Sequence, residues 1–205
     1  WIGIALPPPH GRDAAALPGR LHWSLGWRDG AAELRLQHAC CLRGEQVLRL
    51  HPGFGRLRTE VPPSPEPIGQ WPAAWLAGLG TPWNTLQLDG ELVLRSGGLS
   101  LESVQGRWRV DGRATRLAGD IASRVSTLPV LGSYRLEVIG DADGARLNLA
   151  TQDGALRLQG SGQWAGRAMR FRGDARAEPG SERALDNLLN IIGRRTGELS
   201  LISIG

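Results

Sequence analysis

The sequence has 205 residues, and its hydrophobic content of 41% is enough for one sizeable core or for two small lobes that share a sheet. Its 24 basic residues are all arginines, which excludes the P-loop, the kinase-type lysine and the Schiff-base mechanism, since each needs a lysine amine. The formal net charge is only +4, so the arginines are interpreted as the solvated faces of strands, and no nucleic-acid partner is expected.

Residues 1–18 are rich in proline and aperiodic, so they predict an extended arm ahead of a single β-rich domain at 19–205. An alternative organisation divides this domain into two similar halves near 62–70. No run of about 20 apolar residues occurs in the sequence, so no membrane-spanning helix is predicted. Because the sequence begins at Trp1 without a methionine, the arm is interpreted as a membrane-proximal linker behind a removed anchor or signal segment.

Strands are indicated where apolar and polar residues alternate, and helices where the apolar spacing changes to three or four residues. The dipeptides Asp29–Gly30 and Asp143–Gly144 predict hairpin turns. In chain order the pattern predicts strands at 21–28, 34–40 and 48–50, a crossing loop at 61–67, a short helix at 72–79, strands at 86–94, 104–112, 134–138, 145–149, 156–164 and 169–177, a helix at 182–192 and a closing strand at 198–205.

Three strands are expected to be irregular. The apolar phase runs through Gly90, so the strand there is predicted to curve or bulge at this glycine. Leu99 is out of phase with the next strand, which predicts a bulge or turn near Glu102. In the closing strand Leu199 and Ile202 take opposite phases, so this strand is expected to bulge or to be buried on both faces near its end, and to pair inside the sheet.

The second helix has a clear apolar stripe, formed by Leu185, Leu188, Leu189 and Ile192. Ser181 is its candidate N-cap and Gly193 follows its end. A stripe of this kind needs a sheet to cover. The predicted fold is therefore mainly β, a long curved antiparallel sheet, either an open groove or sandwich-like, with a short helix near 72–79 and a C-terminal helix near 182–192 packed on it.

Four tryptophans lie on the apolar phases of predicted strands, namely Trp23, Trp27, Trp108 and Trp164. Tryptophans can stack on sugar rings, but this phase favours packing in the core.

The histidines and cysteines of the first 51 residues are the candidate metal ligands: His22, His38, Cys40, Cys41 and His51. His22 and His38 have opposite strand phases and would point to opposite faces of one sheet, so no metal site is expected. Adjacent Cα atoms are about 3.8 Å apart, shorter than an ordinary disulfide accepts, so two separate thiols are predicted, with a vicinal disulfide as the alternative.

No catalytic constellation is recognisable, since the sequence lacks G-x-S-x-G, H-E-x-x-H and a serine or cysteine with a convincing base partner. The DADG at 141–144 lacks the later acidic ligands of a calcium loop and is interpreted as a hairpin turn. We therefore expect no enzymatic activity, no cofactor and no small-molecule substrate.

Five blocks occur in order along the chain: GLGTPWNTL at 78–86, PVLGSYRL at 129–136, GALRLQGSGQW at 154–164, FRGDARA at 171–177 and LDNLLNIIGRR at 185–195. Together they resemble the protein N family of the bacterial type II secretion system, over about residues 20–205. The residues that carry the resemblance, with mainly structural roles, are Gly80, Pro82, Trp83, Asn84, Leu131, Gly132, Tyr134, Gly160, Gly162, Trp164, Asn187 and Gly193. Arg194 and Arg195 are candidate interaction residues, or cations that offset the dipole of the preceding helix.

The resemblance implies the periplasmic domain of a single-pass inner-membrane protein that acts without catalysis in the secretion machinery. The secretin and the inner-membrane C subunit are its implied neighbours. Docking is expected to occur by addition of a partner strand to an exposed sheet edge. The family is similar to AsmA-like proteins, whose sheets form an apolar groove, so a lipid-binding or lipid-handling groove is the alternative hypothesis.

Overall fold

The computed structural model describes residues 5–6, 15–16, 20–104, 107–141, 144–165 and 168–205. It is mainly β, as the sequence predicts, with one large antiparallel sheet and few short helices. The strands are β1 (Ala5–Leu6), β2 (Ala15–Ala16), β3 (His22–Arg28), β4 (Ala31–Gln37), β5 (Gln46–Gly53), β6 (Arg56–Val61), β7 (Gly69–Pro72), β8 (Leu88–Val104), β9 (Arg107–Ser123), β10 (Gly132–Asp141), β11 (Gly144–Gly154), β12 (Leu156–Ala165), β13 (Ala168–Ala177), β14 (Arg194–Thr196) and β15 (Leu199–Ile204). The helices are a 3₁₀ helix (Ala73–Leu79), α1 (Trp83–Leu86) and α2 (Glu182–Ile192).

The large sheet is a meander with two departures from chain order. Its strands follow one another as β14-β15-β13-β12-β11-β10-β9-β8-β6-β5-β4-β3, and β7 also pairs with β8. The first departure is β15, which lies between β13 and β14. The second is the 17-residue β8, which pairs with β7 over 91–94 and with β6 over 99–104. Within the described residues, β3 and β14 are therefore the two ends of the sheet.

One face of this sheet is mainly apolar from β3 to β13. Residues directly opposite each other in neighbouring strands point to the same face. Leu25 lies opposite Leu34, and Leu34 lies opposite Leu48. The same face can be followed from strand to strand in this way, through the pairs of the central strands, as far as the pair of Leu158 and Ala175. We call this side the apolar face.

The helices cover the apolar face over its C-terminal part. Helix α2 contacts β13, β14 and β15 and buries Leu185, Leu188 and Leu189. Burial of three leucines stabilises the fold by on the order of 5 to 9 kcal/mol as an upper bound. The core cluster of buried residues contains Ala73, Leu86, Leu88, Leu92, Ile121, Leu131, Tyr134, Leu156, Ala175, Leu185, Leu188 and Leu189. As far as the chain is described, β3 to β6 contribute no member to it.

Helix α2 begins and ends where the sequence predicts. Ser181 occupies the N-cap position but makes no side-chain cap hydrogen bond. Instead, the backbone N–H of Gly180 donates to the carboxylate of Glu182. Backbone hydrogen bonds to this carboxylate hold the pKa of Glu182 below its ordinary value.

The expected irregularity at Gly90 is confirmed, since the register of β8 and β9 shifts between Asp89 and Glu91. Near Glu102 the sequence predicts a bulge or a turn; no register shift lies there, but the chain turns close by, between the end of β8 at Val104 and the start of β9 at Arg107. The second shift lies earlier, between Ser96 and Leu99, where a pair of glycines occupies 97 and 98. Glycine tolerates the backbone geometry of a bulge, and the extra residues return the following leucines to the apolar face.

The closing strand also differs from expectation. β15 pairs with β13 and β14, so pairing inside the sheet is confirmed, but no register shift occurs along it. Leu199 and Leu201 are exposed, whereas Ser200 is fully buried and its hydroxyl donates to the carbonyl of Leu189 at 2.6 Å. A small polar residue thus lies beneath α2, and the prediction of a bulge or two-sided burial is wrong.

Three sequence predictions lie at least partly outside the described residues. They are the arm at 1–18, in which two short strands pair with each other, the turn at Asp143, and the packing of the Trp108 side chain. The strands β6, β7 and β14 and the helix α1 were not predicted. No helix in the described ranges has the length and apolar character needed to cross a membrane.

A prediction concerns the glycines beneath Phe171. A Cβ added at Gly160 would contact the Phe171 ring and would lie 2.9 Å from the Arg172 carbonyl oxygen. We expect Gly160→Ala to lower the free energy of unfolding by about 1 to 3 kcal/mol, because it overpacks this site. Urea unfolding measures the change.

Gly119→Ala is the matched control, since a Cβ at Gly119 in β9 meets nothing within 4 Å. This substitution is expected to change stability little. Equal free energies of unfolding for the two variants would contradict the close packing of the Phe171 ring against Gly160 of β12.

Candidate functional site

The terminal strand β3 presents large apolar side chains to solvent. Trp23, Leu25 and Trp27 retain 48%, 62% and 67% of their accessible surface. The sequence prediction that Trp23 and Trp27 pack in the core is therefore wrong, and Trp164 in β12 is exposed as well. The strand phase was identified correctly, but no described helix covers the apolar face at β3.

The outer edge of β3 also has backbone groups that do not pair with any described strand. A two-residue turn joins β3 to β4, with positive φ at Asp29 (50°) and Gly30 (78°), and Arg28 lies opposite Ala31. A turn of this type makes its flanking residues a hydrogen-bonded pair, and hydrogen-bonded and non-hydrogen-bonded pairs then alternate along the hairpin.

By this alternation, Trp23, Leu25 and Trp27 belong to the non-hydrogen-bonded pairs with β4. Their N–H and C=O groups point away from β4, toward the outer edge. Among the described residues, β4 is the neighbouring strand of β3 and none pairs on its other side. The same three residues thus offer both apolar side chains and backbone hydrogen-bonding groups.

The apolar surface extends inward from this edge. The half-buried leucines of β4 and β5 lie beside the exposed side chains, because Trp23 is opposite Leu36 and Leu25 is opposite Leu34. We call this surface the edge patch: Trp23, Leu25, Trp27, Leu34, Leu36, Leu48 and Leu50.

The other end of the sheet is built differently. β14 has only three residues, Arg194 to Thr196. Arg195 forms an ion pair with Asp186 of α2 at 3.3 Å, and Arg194 is exposed. A short, charged edge strand discourages pairing with another chain. The candidate interaction residues Arg194 and Arg195 therefore lie at the protected end, opposite to the edge patch.

The polar face behind the edge patch is held by a buried carboxylate. Glu33 of β4 lies 3.2 Å from Arg35 and 3.4 Å from Arg49 of β5. The hydrogen bond from Arg35, with the nearby charges of Arg28 and Arg35, keeps the pKa of Glu33 below its ordinary value, although burial acts in the opposite direction. This cluster ties β4, the only described support of β3, to β5.

The residues that carry the family resemblance lie away from the edge patch. Leu131 and Tyr134 are in the core, and the buried hydroxyl of Tyr134 donates to the carbonyl of Leu156 at 3.0 Å. Gly160 and Gly162 leave space for Phe171. The remaining positions are Gly80 at the end of the 3₁₀ helix, Pro82, Trp83 and Asn84 at α1, Gly132 where β10 begins, exposed Trp164 and Asn187, and Gly193 after α2.

Three of the five candidate metal ligands come together at the turn after β4. His38, Cys40 and Cys41 form one cluster, whereas His22 lies in β3 and His51 lies in β5 beside Glu60. Cys40 and Cys41 form a vicinal disulfide, with Cα atoms 3.7 Å apart. The prediction of two separate thiols is wrong, because the turn brings the two sulfurs within bonding reach.

Comparison with known proteins identifies one family. The family model of the type II secretion system (T2SS), protein N, matches residues 1–200. No curated protein and no solved structure matches the chain. The matched range includes the edge patch, the central strands and α2.

A prediction concerns Glu33 and pH. Since its pKa is lowered in the folded protein, Glu33 adds stability above its ordinary pKa of about 4.3, and this contribution is lost as the pH falls through the folded-state pKa. Glu33→Gln should therefore lower the unfolding free energy at pH 7, and the difference from the parent protein should shrink below about pH 4.

Urea unfolding at pH 7, 5 and 3 measures this difference. Glu66→Gln, in the loop after β6, is the matched control and should have a much smaller effect. If Glu33→Gln lowers the unfolding free energy by the same amount at pH 7, 5 and 3, the role of the charged carboxylate is contradicted.

Proposed function

We propose, for a chain that belongs to the type II secretion system protein N family, that it acts in the periplasm as a non-enzymatic docking component beside the inner-membrane assembly platform. The family match supports a role in type II secretion, in agreement with the resemblance of the five sequence blocks. Proteins of this family are structural components of the secretion machinery. The proposed partners are the secretin and the inner-membrane C subunit.

The edge patch is the observation that carries the docking role. An exposed apolar edge strand is a site where another chain can pair, and proteins usually protect such edges with charges, prolines or short strands. β14 is protected in this way, whereas β3 has two exposed tryptophans and an exposed leucine. The difference between the two ends supports a function for β3.

Strand addition is the proposed mode of docking. An extended segment of the partner would pair with the outward N–H and C=O groups of Trp23, Leu25 and Trp27. Alternate side chains of that segment would lie over the apolar face and cover the edge patch. Backbone bonds would then supply affinity, and the tryptophans would select apolar partner residues.

The vicinal disulfide supports the proposed compartment. Disulfides form and persist in oxidising environments such as the bacterial periplasm and are rare in the cytosol. The Cys40–Cys41 bond is therefore compatible with a periplasmic domain.

A lipid-binding surface is the second candidate, favoured by the extent of the apolar face across β3, β4 and β5 that no described helix covers. The two best-formed hollows among the described residues do not add to this apolar surface. Two hollows of about 300 and 290 Å³ lie beside β5, β6 and β8, and both are lined partly by Arg58 and Glu60. An acyl chain would therefore have to lie on the open apolar face.

A pair of substitutions at Leu25 distinguishes strand addition from lipid binding. Leu25→Pro removes the outward N–H without removing a hydrogen bond to β4, a placement that edge strands tolerate. Leu25→Ala removes the same side chain but keeps the N–H. Strand addition predicts that Pro weakens cross-linking of the membrane-anchored protein to the secretin or the C subunit about tenfold or more, and Ala much less.

Cross-linking in cells and the amount of secreted protein are the two measurements, with thermal unfolding to verify that each variant is folded. Equal effects of Pro and Ala, together with lipid that co-purifies with the native protein, would favour the lipid-binding surface. Absence of any cross-link between the parent protein and a secretion component would contradict the docking role.

A further inference from the structure

The turn after β4 holds a cluster of metal-ligating side chains that takes no part in the proposed docking. One imidazole nitrogen of His38 and the sulfurs of Cys40 and Cys41 all lie within 4.8 Å of one another. Ligand atoms of a tetrahedral zinc site are roughly 3.3 to 3.8 Å apart, given bonds of about 2.0 to 2.3 Å. Small side-chain shifts, after opening of the disulfide, would bring these three ligands into that range.

His38 offers one imidazole nitrogen to the cluster. The residue is only 4% exposed, and its Nδ1 accepts a hydrogen bond from the backbone N–H of Cys40 at 3.3 Å. Its Nε2 is buried and makes no hydrogen bond with a described residue. Because Nδ1 accepts, the neutral imidazole carries its proton on Nε2 and keeps its lone pair on Nδ1. Nδ1 is therefore the nitrogen that would ligate a cation, in place of its bond to the Cys40 N–H.

The cluster is held on a fixed frame. The N–H of Leu42 donates to the His38 carbonyl at 3.2 Å, and the N–H of Gln70 donates to the Cys41 carbonyl at 3.0 Å. Leu42 also forms a bridge with Gly69 at the start of β7. Because the backbone on both sides of the cluster is paired, a ligand would meet side chains that are already positioned.

We propose that His38, Cys40 and Cys41 form a redox-gated binding site for one thiophilic d¹⁰ cation, zinc(II) or an ion of similar preference. The disulfide is the closed state, since its sulfurs are not thiolates and do not ligate zinc. The dithiol is the open state, in which two thiolates and one imidazole bind the ion. Cys40 is exposed, so the fourth position faces water.

The opening step is a thiol–disulfide exchange with a reduced dithiol. A thiolate of that dithiol attacks the sulfur of exposed Cys40, and the Cys40–Cys41 bond breaks with its electron pair on the Cys41 sulfur, which takes a proton. The second thiol of the reductant resolves the mixed disulfide and releases Cys40. The reductant leaves as a disulfide, so the electrons balance, and zinc binding then releases the two thiol protons.

The inference is independent of the proposed docking role, because the cluster lies on a turn and not on the edge patch. The protein is reduced with dithiothreitol, freed of reductant under anaerobic conditions, and titrated with zinc(II) against a chromophoric chelator. We expect one zinc ion per reduced chain and none per oxidised chain. Cobalt(II) in place of zinc should give a thiolate-to-cobalt charge-transfer band in the reduced protein alone.

Cys40→Ser is the decisive variant, since this exposed position tolerates the change and one ligand is lost. It should weaken zinc binding about 100-fold or more and abolish most of the charge-transfer band. His51→Gln, at a histidine outside the cluster, is the matched control and should bind as the parent does. Equal zinc affinity of the oxidised and reduced proteins, of Cys40→Ser and the parent, or no zinc binding at all, would overturn the proposal.

Discussion

The structure depends on a mismatch in extent: the apolar face of the sheet is long, and the described helices that cover it are few and short. Alternation places most apolar side chains of β3 to β13 on one side of the sheet, from the Leu25 pair to the Ala175 pair, whereas β15 turns Leu199 and Leu201 to the opposite side. Helix α2 and the short helices before β8 cover the C-terminal and central parts. The core lies where these helices cover the apolar face. The edge patch is the part of the same face that no described helix covers.

Much of the fold could be predicted because its signals are local. The limits of α2 and the alternation in β10 to β13 follow directly from side-chain spacing. The missed elements have weak local signals: β6 has few apolar residues, β14 has three residues, and α1 has four. The register shift between Ser96 and Leu99 was not predicted, because such a shift is defined by the partner strand, here β9, and not by β8 alone.

The candidate sites were harder to predict, for two physical reasons. An apolar phase fixes which face Trp23 and Trp27 occupy, but whether that face is buried depends on distant segments, so both residues were assigned to the core wrongly. The cysteine cluster depends on how a turn folds. Strand phase correctly separates His22 from His38, but it contains no information on the turn that carries Cys40 and Cys41 to His38.

Hydrogen exchange at the amides of Trp23, Leu25 and Trp27 is the most direct measurement of the central claim, that β3 is an open edge that a partner strand occupies. In the isolated protein these outward N–H groups should exchange much faster than those of Ser24 and Gly26, which bond to β4. In the assembled secretion machinery they should become protected. Fast exchange of these three amides in both states would contradict the account.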